Sequence, residues 1–457
     1  TWNGALLVPD GPGQNSQYPS FCNSGQKIVF SRFDLGSRNV WSVQSDGTAL
    51  ARITTHAATL NGDERPAMSD SGLLLVFESN ANPLGTNPDG NREVFTCHSD
   101  GSNLTQITNT TAGSAYACSI TSDGSKIAFH FFGANLLGGN PDLGTELYVC
   151  NFDGSGMVQI SFTGTGGANG IICGDGSTVI WSDAGFGMNT VWKTNPNGTG
   201  TTPLVTLQNA YTLPKHCTNQ QGTVAVFRSD ADPFGTNIDM NNEIFVVDTT
   251  TGTYWQVTQT VDSGPLGNAN MRPFLARGGG LIVFMTQSDL TGNNPDYQSE
   301  LFTILLAGVN LRQITQSSQA IPVNADWQNV SVDFAGAAVA VVTAHDFTGG
   351  PAGQARLWRL TPPPVVPFRR GDANDDHLFD IADPVTILSA LFGGGTLTCD
   401  QAGDANDDGA LDIADAVFAL SALFVAGSPL PPPPHPNCGP DPTPGGTLGC
   451  NAFLSCP

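Results

Sequence analysis

The sequence predicts a mostly β protein. We expect a seven-bladed β-propeller, with six blades as the alternative, followed by a small helical domain. Three observations predict it. First, a Gly-containing turn followed by a β-rich run ending in an aromatic residue or Val recurs seven times: NSGQKIVF, SDSGLLLVF, SDGSKIAF, GDGSTVIW, NQQGTVAVF, RGGGLIVF and DFAGAAVAVV. The turn glycines Gly25, Gly72, Gly124, Gly176, Gly222, Gly279 and Gly336 lie 46 to 57 residues apart, a period of the kind that repeat architectures show. Second, most copies continue into another strand (EVFTC, ELYVC, EIFVV, ELFTI) and a tight turn such as SDGSNLTQIT or FDGSGMVQIS, which gives about four strands per repeat. Third, the last repeat runs from ARLWRL into TPPPVVP, where Pro cannot continue an interior ladder. The N-terminal ALLV is then expected to supply the missing strand and close a ring without exposed edges.

Through the DGSKIAF and NPDG…E…Y phrases, residues 18–360 resemble the TolB-like propeller family. The resemblance implies the fold and not a function. That family's six blades are the source of the alternative count.

Four repeats share a loop frame: NPLGTNPDGNRE (82–93), NLLGGNPDLGTE (135–146), DPFGTNIDMNNE (232–243) and DLTGNNPDYQSE (289–300). Only six Glu occur in the chain, and Glu93, Glu146, Glu243 and Glu300 end these four frames. Two readings stand side by side. In one, the loop bonds to itself through Asn and Asp. In the other, its oxygens hold further hard cations near Asp89, Asp142, Asp239 and Asp296.

Composition narrows the function. The chain has 457 residues and a formal charge of −23, with only 12% charged residues. The acidity excludes nucleic acid as a partner and suits cations. No apolar run reaches membrane-span length. Ten Cys, without metal-type spacing, suggest disulfides and an oxidising, extracellular setting, and TWNGALLVP reads as a mature terminus.

Residues 361–369 form a Pro-rich linker after a propeller at 1–360. Beyond it, GDANDDHLFDIAD is repeated as GDANDDGALDIAD. Asp372, Asn374, Asp376, Leu378, Asp380 and Asp383 fall at positions 1, 3, 5, 7, 9 and 12 of a calcium-type loop, and Asp404, Asn406, Asp408, Ala410, Asp412 and Asp415 repeat them. Side-chain oxygens are offered at five positions and a backbone carbonyl at Leu378 and Ala410, so two Ca2+ ions are expected. Gly409 suits the sharp turn at position 6, where the first copy has His377. Each loop leads into an apolar helix. Val385, Leu388 and Leu391 are expected on one buried face, and Val417, Leu420 and Leu423 on the other. Residues 370–426 resemble the dockerin domain, which implies a cohesin-like partner. A Pro- and Cys-rich tail follows at 427–457. Of its three pairings with Cys399, Cys399–Cys438 with Cys450–Cys456 is expected.

No GxSxG, HExxH or P-loop occurs, and the seven His are scattered. The sequence alone therefore favours a secreted, non-catalytic calcium-binding assembly protein that contacts its own copies through the C-terminal module, as in a filament or surface layer. A propeller that binds glycan or peptide and is tethered through that module is the alternative. A hydrolase or lyase ranks behind both.

Overall fold

In the computed structural model the chain forms two compact units, Thr1–Pro362 and Pro363–Pro457. The structure describes all residues except 1, 12–13, 23–24, 35, 57–61, 165–167, 214, 262–271, 318–328, 349–354, 363–365, 442–447, 451 and 457. No described helix is long and apolar enough to cross a membrane.

The first unit is a seven-bladed propeller. Blade 1 comprises Asn15–Phe21, Lys27–Asp34, Ser37–Gln44 and Ala51–Arg52. Blades 2, 3, 4 and 6 repeat that antiparallel order, from inner strands Asp63–Met68, Ser114–Ile120, Ala168–Ile172 and Arg272–Leu275. Blade 5 has three strands, starting with Val224–Ser229. The isolated bridges Tyr211–Arg228 and Thr218–Ala225 stand in place of its inner strand. Blade 7 is completed by Asn3–Val8, which pairs antiparallel with Arg356–Thr361. The Pro-broken last repeat is thus closed by the N-terminal strand.

All seven turn glycines have φ between 65° and 81°, a region that suits a residue without Cβ. In six of the seven phrases the closing aromatic sits opposite another on the next strand, and the seventh ends in Val342 opposite Leu357. Phe77–Phe95, Phe129–Tyr148, Trp181–Trp192, Phe227–Phe245 and Phe284–Phe302 stack at centroid distances of 5.5–5.8 Å. The core lies between neighbouring sheets. Val29 and Val40 of blade 1 pack with Leu75 and Phe77 of blade 2, and Val226 and Ile244 of blade 5 with Ile282 and Phe284 of blade 6.

Cysteine count misled at the propeller. Cys22, Cys97, Cys118, Cys150, Cys173 and Cys217 are buried and free, and act there as small apolar side chains.

The Glu-ended frames are clamps. Oε1 of each Glu accepts a backbone N–H seventeen residues on: Thr110 and Thr163 at 2.7 Å, Thr260 at 2.5 Å and Ser317 at 2.6 Å. Oε2 accepts the hydroxyl of Thr108, Ser161, Thr258 or Thr315. That hydroxyl oxygen in turn accepts the N–H of the residue after the Glu. Within the loop, Asn87, Asn140, Asn237 and Asn294 tie the two loop stems together through backbone carbonyls. In blade 1 the shorter Asn39 takes the Glu's place, accepting from Thr54 and the His56 N–H. Glu243→Ala removes the acceptor shared by Thr258 and Thr260, so a loss of about 3 kcal/mol is expected, read as a lower denaturant midpoint.

The second unit has helices at Ala382–Phe392, Asp400–Gly403 and Ile413–Phe424. The expected helix faces need correction. Val385 and Val417 are 58% and 56% exposed, whereas Ile387, Ala416 and Ala373 form the core, flanked by Leu388, Leu391, Leu397 and Leu411. Small Ala side chains let the helices approach, and the face rotates away from the larger Val residues. The disulfides are Cys399–Cys450 and Cys438–Cys456 rather than the expected pairs. The tail folds back onto residues 398–400, where Asp400 N donates to Gly449 O at 2.8 Å and Ala452 N to Thr398 O at 3.4 Å, so Cys399 meets the later cysteine. Phe368 and Phe453 pack with the bridges in a second small core. Fully buried Arg370 joins the tail to the second acidic loop. It donates to the carbonyls of Asp404 and Pro433 and forms ion pairs with Asp407 at 2.8 Å and Asp441 at 2.9 Å.

Candidate functional site: the axial pocket of the propeller

The inner strands of blades 1, 2 and 3 slip register at one equivalent place, between Gln17 and Ser20, Glu64 and Ala67, and Tyr116 and Ser119. Tyr18, Arg65 and Ala117 occupy these bulges with φ of 57°, 46° and 53°, and His216 of blade 5 has φ 55°. Four non-glycine residues thus hold a conformation that costs energy and persists only where the surroundings impose it. Neighbouring blades supply the restraint. Ala117 N donates to Glu78 Oε1 at 2.6 Å and Tyr18 N to Asn329 Oδ1 at 3.0 Å.

The bulges line a pocket on the propeller axis with Tyr18, Arg65, Cys118, Lys215, His216 and Arg277 on its wall. Five of the chain's 17 Lys and Arg gather in or beside this pocket, in a protein of charge −23. Arg38 and Arg92 reach Glu64 at 2.5 and 2.6 Å, and Arg65 reaches Glu78 at 2.8 Å. Arg38 and Arg65 also lie over the Tyr18 ring, at 5.7 and 4.9 Å from its centroid. Glu64 and Glu78 are the two Glu that the loop clamps do not use.

Burial sets the protonation states. Desolvation pushes Glu78 up to about 7 against the pull of Arg65 and Arg92. Lys215 is brought down to about 7, first by desolvation and then by Arg65; its amine donates to Pro19 O. His216 is held well below its ordinary value by burial, Lys215 and Arg277, and its Nε2 lies 3.0 Å from Ser331 Oγ. Burial also raises the Tyr18 phenol. An amine that titrates near pH 7, a phenol and several guanidinium groups therefore meet in one pocket. That set can recognise an anion and move a proton near neutral pH.

Sequence reasoning missed this site, because its residues are spread over five blades. One signal was available: in a chain with six Glu, Glu64 and Glu78 stood outside the repeated frame.

The acidic residues picked out from the sequence gather in the second unit. Asp372 accepts from Asp376 N at 3.0 Å and His377 N at 3.1 Å, and Asp383 from Ala373 N at 2.9 Å and Asp380 N at 2.8 Å. Asp376 accepts from Leu378 N and from the Asn374 amide, and Asp380 accepts from Ala382 N at the start of the helix. The second loop matches: Asp404 takes Asp408 N and Gly409 N, Asp415 takes Asn406 N and Asp412 N, Asp408 takes Ala410 N, and Asp412 takes Ala414 N. His377 and Gly409 share a left-handed backbone, with φ of 72° and 82°. Asp372, Asp383, Asp404 and Asp415 are buried, and desolvation raises all four, Asp383 and Asp415 to about 6. Among the described residues no three His, Cys, Asp or Glu side chains stand together as a formed metal group. Asp89, Asp142 and Asp239 are exposed on their propeller loops and Asp296 is half-buried.

No protein-family model matches this sequence, and no curated protein matches it. Solved structures do resemble it. An oligogalacturonate lyase in complex with manganese aligns at 15% identity and TM-score 0.56, over 79% of this chain and 93% of that one. The oligogalacturonate lyase of Vibrio parahaemolyticus aligns at 13% identity with the same TM-score and coverage. The propeller domain of the Trilobed protease of Pyrococcus furiosus aligns at 10% identity and TM-score 0.51, over 77% and 94%. At these identities the likeness is one of fold. It still corrects the expectation of a non-catalytic assembly or tethering protein. That expectation rested on missing motifs, and propellers of this build carry catalysis in the lyases.

Proposed function

We propose that the propeller is an enzyme of the lyase type, acting on a carboxylate-bearing sugar at the axial pocket. The observation that carries this reading is Lys215, a buried amine brought down to about 7 on the wall of a cation-rich pocket, where it can act as a base near neutral pH. Lys215 Nζ takes the proton from the carbon that bears the carboxylate. The electron pair becomes a carbon–carbon double bond, the bond from the β carbon to oxygen breaks, and that oxygen takes the Tyr18 phenol proton. Arg65 and Arg277 face the carboxylate and stabilise the charge that develops on it. Tyr18 is placed for its part by the bulge and by the flanking Arg38 and Arg65. The fold likeness to two oligogalacturonate lyases supports an acidic sugar as substrate.

Manganese, named with one of those lyases, does not fit this pocket. Three of its lining side chains are Arg65, Lys215 and Arg277, and among the described residues no carboxylate lines it. No step is assigned to a metal there. Calorimetry with an acidic oligosaccharide and its methyl ester tests the reading. The acid is expected to bind and the ester to bind at least about tenfold more weakly, since charged hydrogen bonds dominate the contact. Equal binding of both would overturn it.

A second proposal concerns Pro363–Pro457: its two loops hold Ca2+, one ion each, in a dockerin-like unit. The donor set fits a hard cation, because every side chain offered is an oxygen ligand. Buried Asp372, Asp383, Asp404 and Asp415 favour a positive partner. Calcium would neutralise these carboxylates and hold loop to helix. Calorimetric titration of the full chain should give two sites, one of which disappears in Asp404→Ala. A chain that takes up no calcium would contradict it. The two disulfides of the same unit support a secreted location.

A further inference from the structure

Arg65 lines a second recess besides the axial pocket. This recess is a groove of about 540 Å³ between blades 2 and 3. Its walls carry Arg92, Ser114, Tyr116, Phe132 and Thr145. Blade 2 contributes the stem of a clamped loop, and blade 3 the start of its inner strand. The two are joined where Ala115 N donates to Arg92 O at 2.8 Å, so the groove has a rigid floor. Phe132 is 55% exposed at the end of the strand Lys126–Phe132, although large aromatic side chains are usually covered. Tyr116 is held by stacking on buried His130 at 5.0 Å, and burial raises its phenol to about 12, so it stays a neutral hydrogen-bond donor. Arg92 brings positive charge to the wall, at 2.6 Å from Glu64 and 3.6 Å from Glu78.

We propose that this groove is a second sugar subsite, which binds the neighbouring unit of an acidic oligosaccharide whose reacting unit sits in the axial pocket. The proposal rests on the lyase reading and specifies its substrate as a chain of at least two acidic units. Three features choose this occupant. Arg65 lines both the groove and the axial pocket, which sets the two recesses side by side within the span of one oligosaccharide. Arg92 offers a guanidinium to a second carboxylate, and the hydroxyls of Ser114, Tyr116 and Thr145 suit sugar hydroxyls. Exposed Phe132 gives the apolar face of a pyranose a flat surface to stack on. A short acid would leave Phe132 bare.

The test uses galacturonate dimer and hexamer as probes, with the monomer as a binding reference that fills the axial pocket alone, and with Phe132→Ala, Arg92→Gln and, as a control remote from the groove, Phe186→Ala. Phe186 is fully exposed elsewhere on the propeller, and its variant is expected to behave as wild type. In Phe132→Ala the KM for hexamer is expected to rise about tenfold with kcat within about twofold, the pattern of lost uniform binding. The rise for dimer should be similar, since its second unit already reaches the groove, whereas the affinity for monomer should change at most about threefold. Arg92→Gln should also raise KM for hexamer and make it less sensitive to salt. A loss for monomer as large as that for hexamer, or no change in either variant, overturns the subsite. If wild type turns over neither probe, the lyase reading fails and the groove is judged by hexamer binding alone. Unaltered hexamer affinity in Phe132→Ala then overturns the groove as well, and a tenfold loss supports it as a binding site.

Discussion

Lys215→Met is expected to lower kcat by roughly 10²–10⁴-fold, the range a positioned general base contributes. Met keeps the stem that packs in the channel wall and removes only the amine. The thermal transition of the propeller should therefore stay close to wild type, because the one bond lost is that to Pro19 O. The loss should fall on kcat more than on KM, since the proton is moved only in the transition state. Glu78 adds a second, opposite pH dependence. Its carboxyl is raised to about 7, so below that pH it is largely neutral and the surrounding guanidinium groups present more net positive charge to a ligand. As pH rises through about 7, Glu78 ionises and Lys215 loses its proton. Both changes weaken anion binding, while the second creates the base. KM should therefore rise with pH while kcat rises too. Glu78→Gln should flatten the KM limb and leave the kcat limb in place. Because the two groups share Arg65, the apparent midpoints belong to the cluster.

Arg370→Met carries the largest expected effect on stability. The guanidinium is fully buried, ion-paired with Asp407 and Asp441, and bonded to two backbone carbonyls. Removing it takes a counter-charge from three carboxylates, Asp404 among them. Breaking a buried pair from one side costs about 3–5 kcal/mol, a large part of what a unit of this size holds. Calorimetry of the full chain should show the transition of Pro363–Pro457 moving sharply down while that of the propeller stays in place. Added calcium should recover part of the loss, because the ion binds the folded loops.

The fold was legible because each repeat states its geometry locally. A glycine that must take positive φ, an alternating strand and an aromatic with a partner on the next strand are all within reach of one another in sequence. Gly25 to Gly336 mark seven turns, and Pro362 marks where the ladder stops. The clamp function of Glu93, Glu146, Glu243 and Glu300 was less legible. Its partners lie fifteen and seventeen residues away, across a strand whose register is set only by folding. The axial pocket was not legible. Lys215, Arg65, Arg277 and Tyr18 meet only once the ring closes, and their protonation depends on burial that a sequence does not display. Disulfide pairing failed for a similar reason. Proximity in sequence favoured Cys450–Cys456, but the tail reverses along residues 398–400 and brings Cys450 to Cys399. Helix faces failed through a third cause, since period alone does not tell that Ala416 and Ala419, rather than Val417, sit in the tightest contact.

The most direct test of the catalytic account is the pH profile of double-bond formation, followed by ultraviolet absorbance with galacturonate hexamer and the full chain. The account predicts an absorbance that grows with time in wild type, with a kcat limb rising to a midpoint near pH 7 and absent in Lys215→Met. No new absorbance at any pH, or a profile that Lys215→Met leaves unchanged, would contradict it.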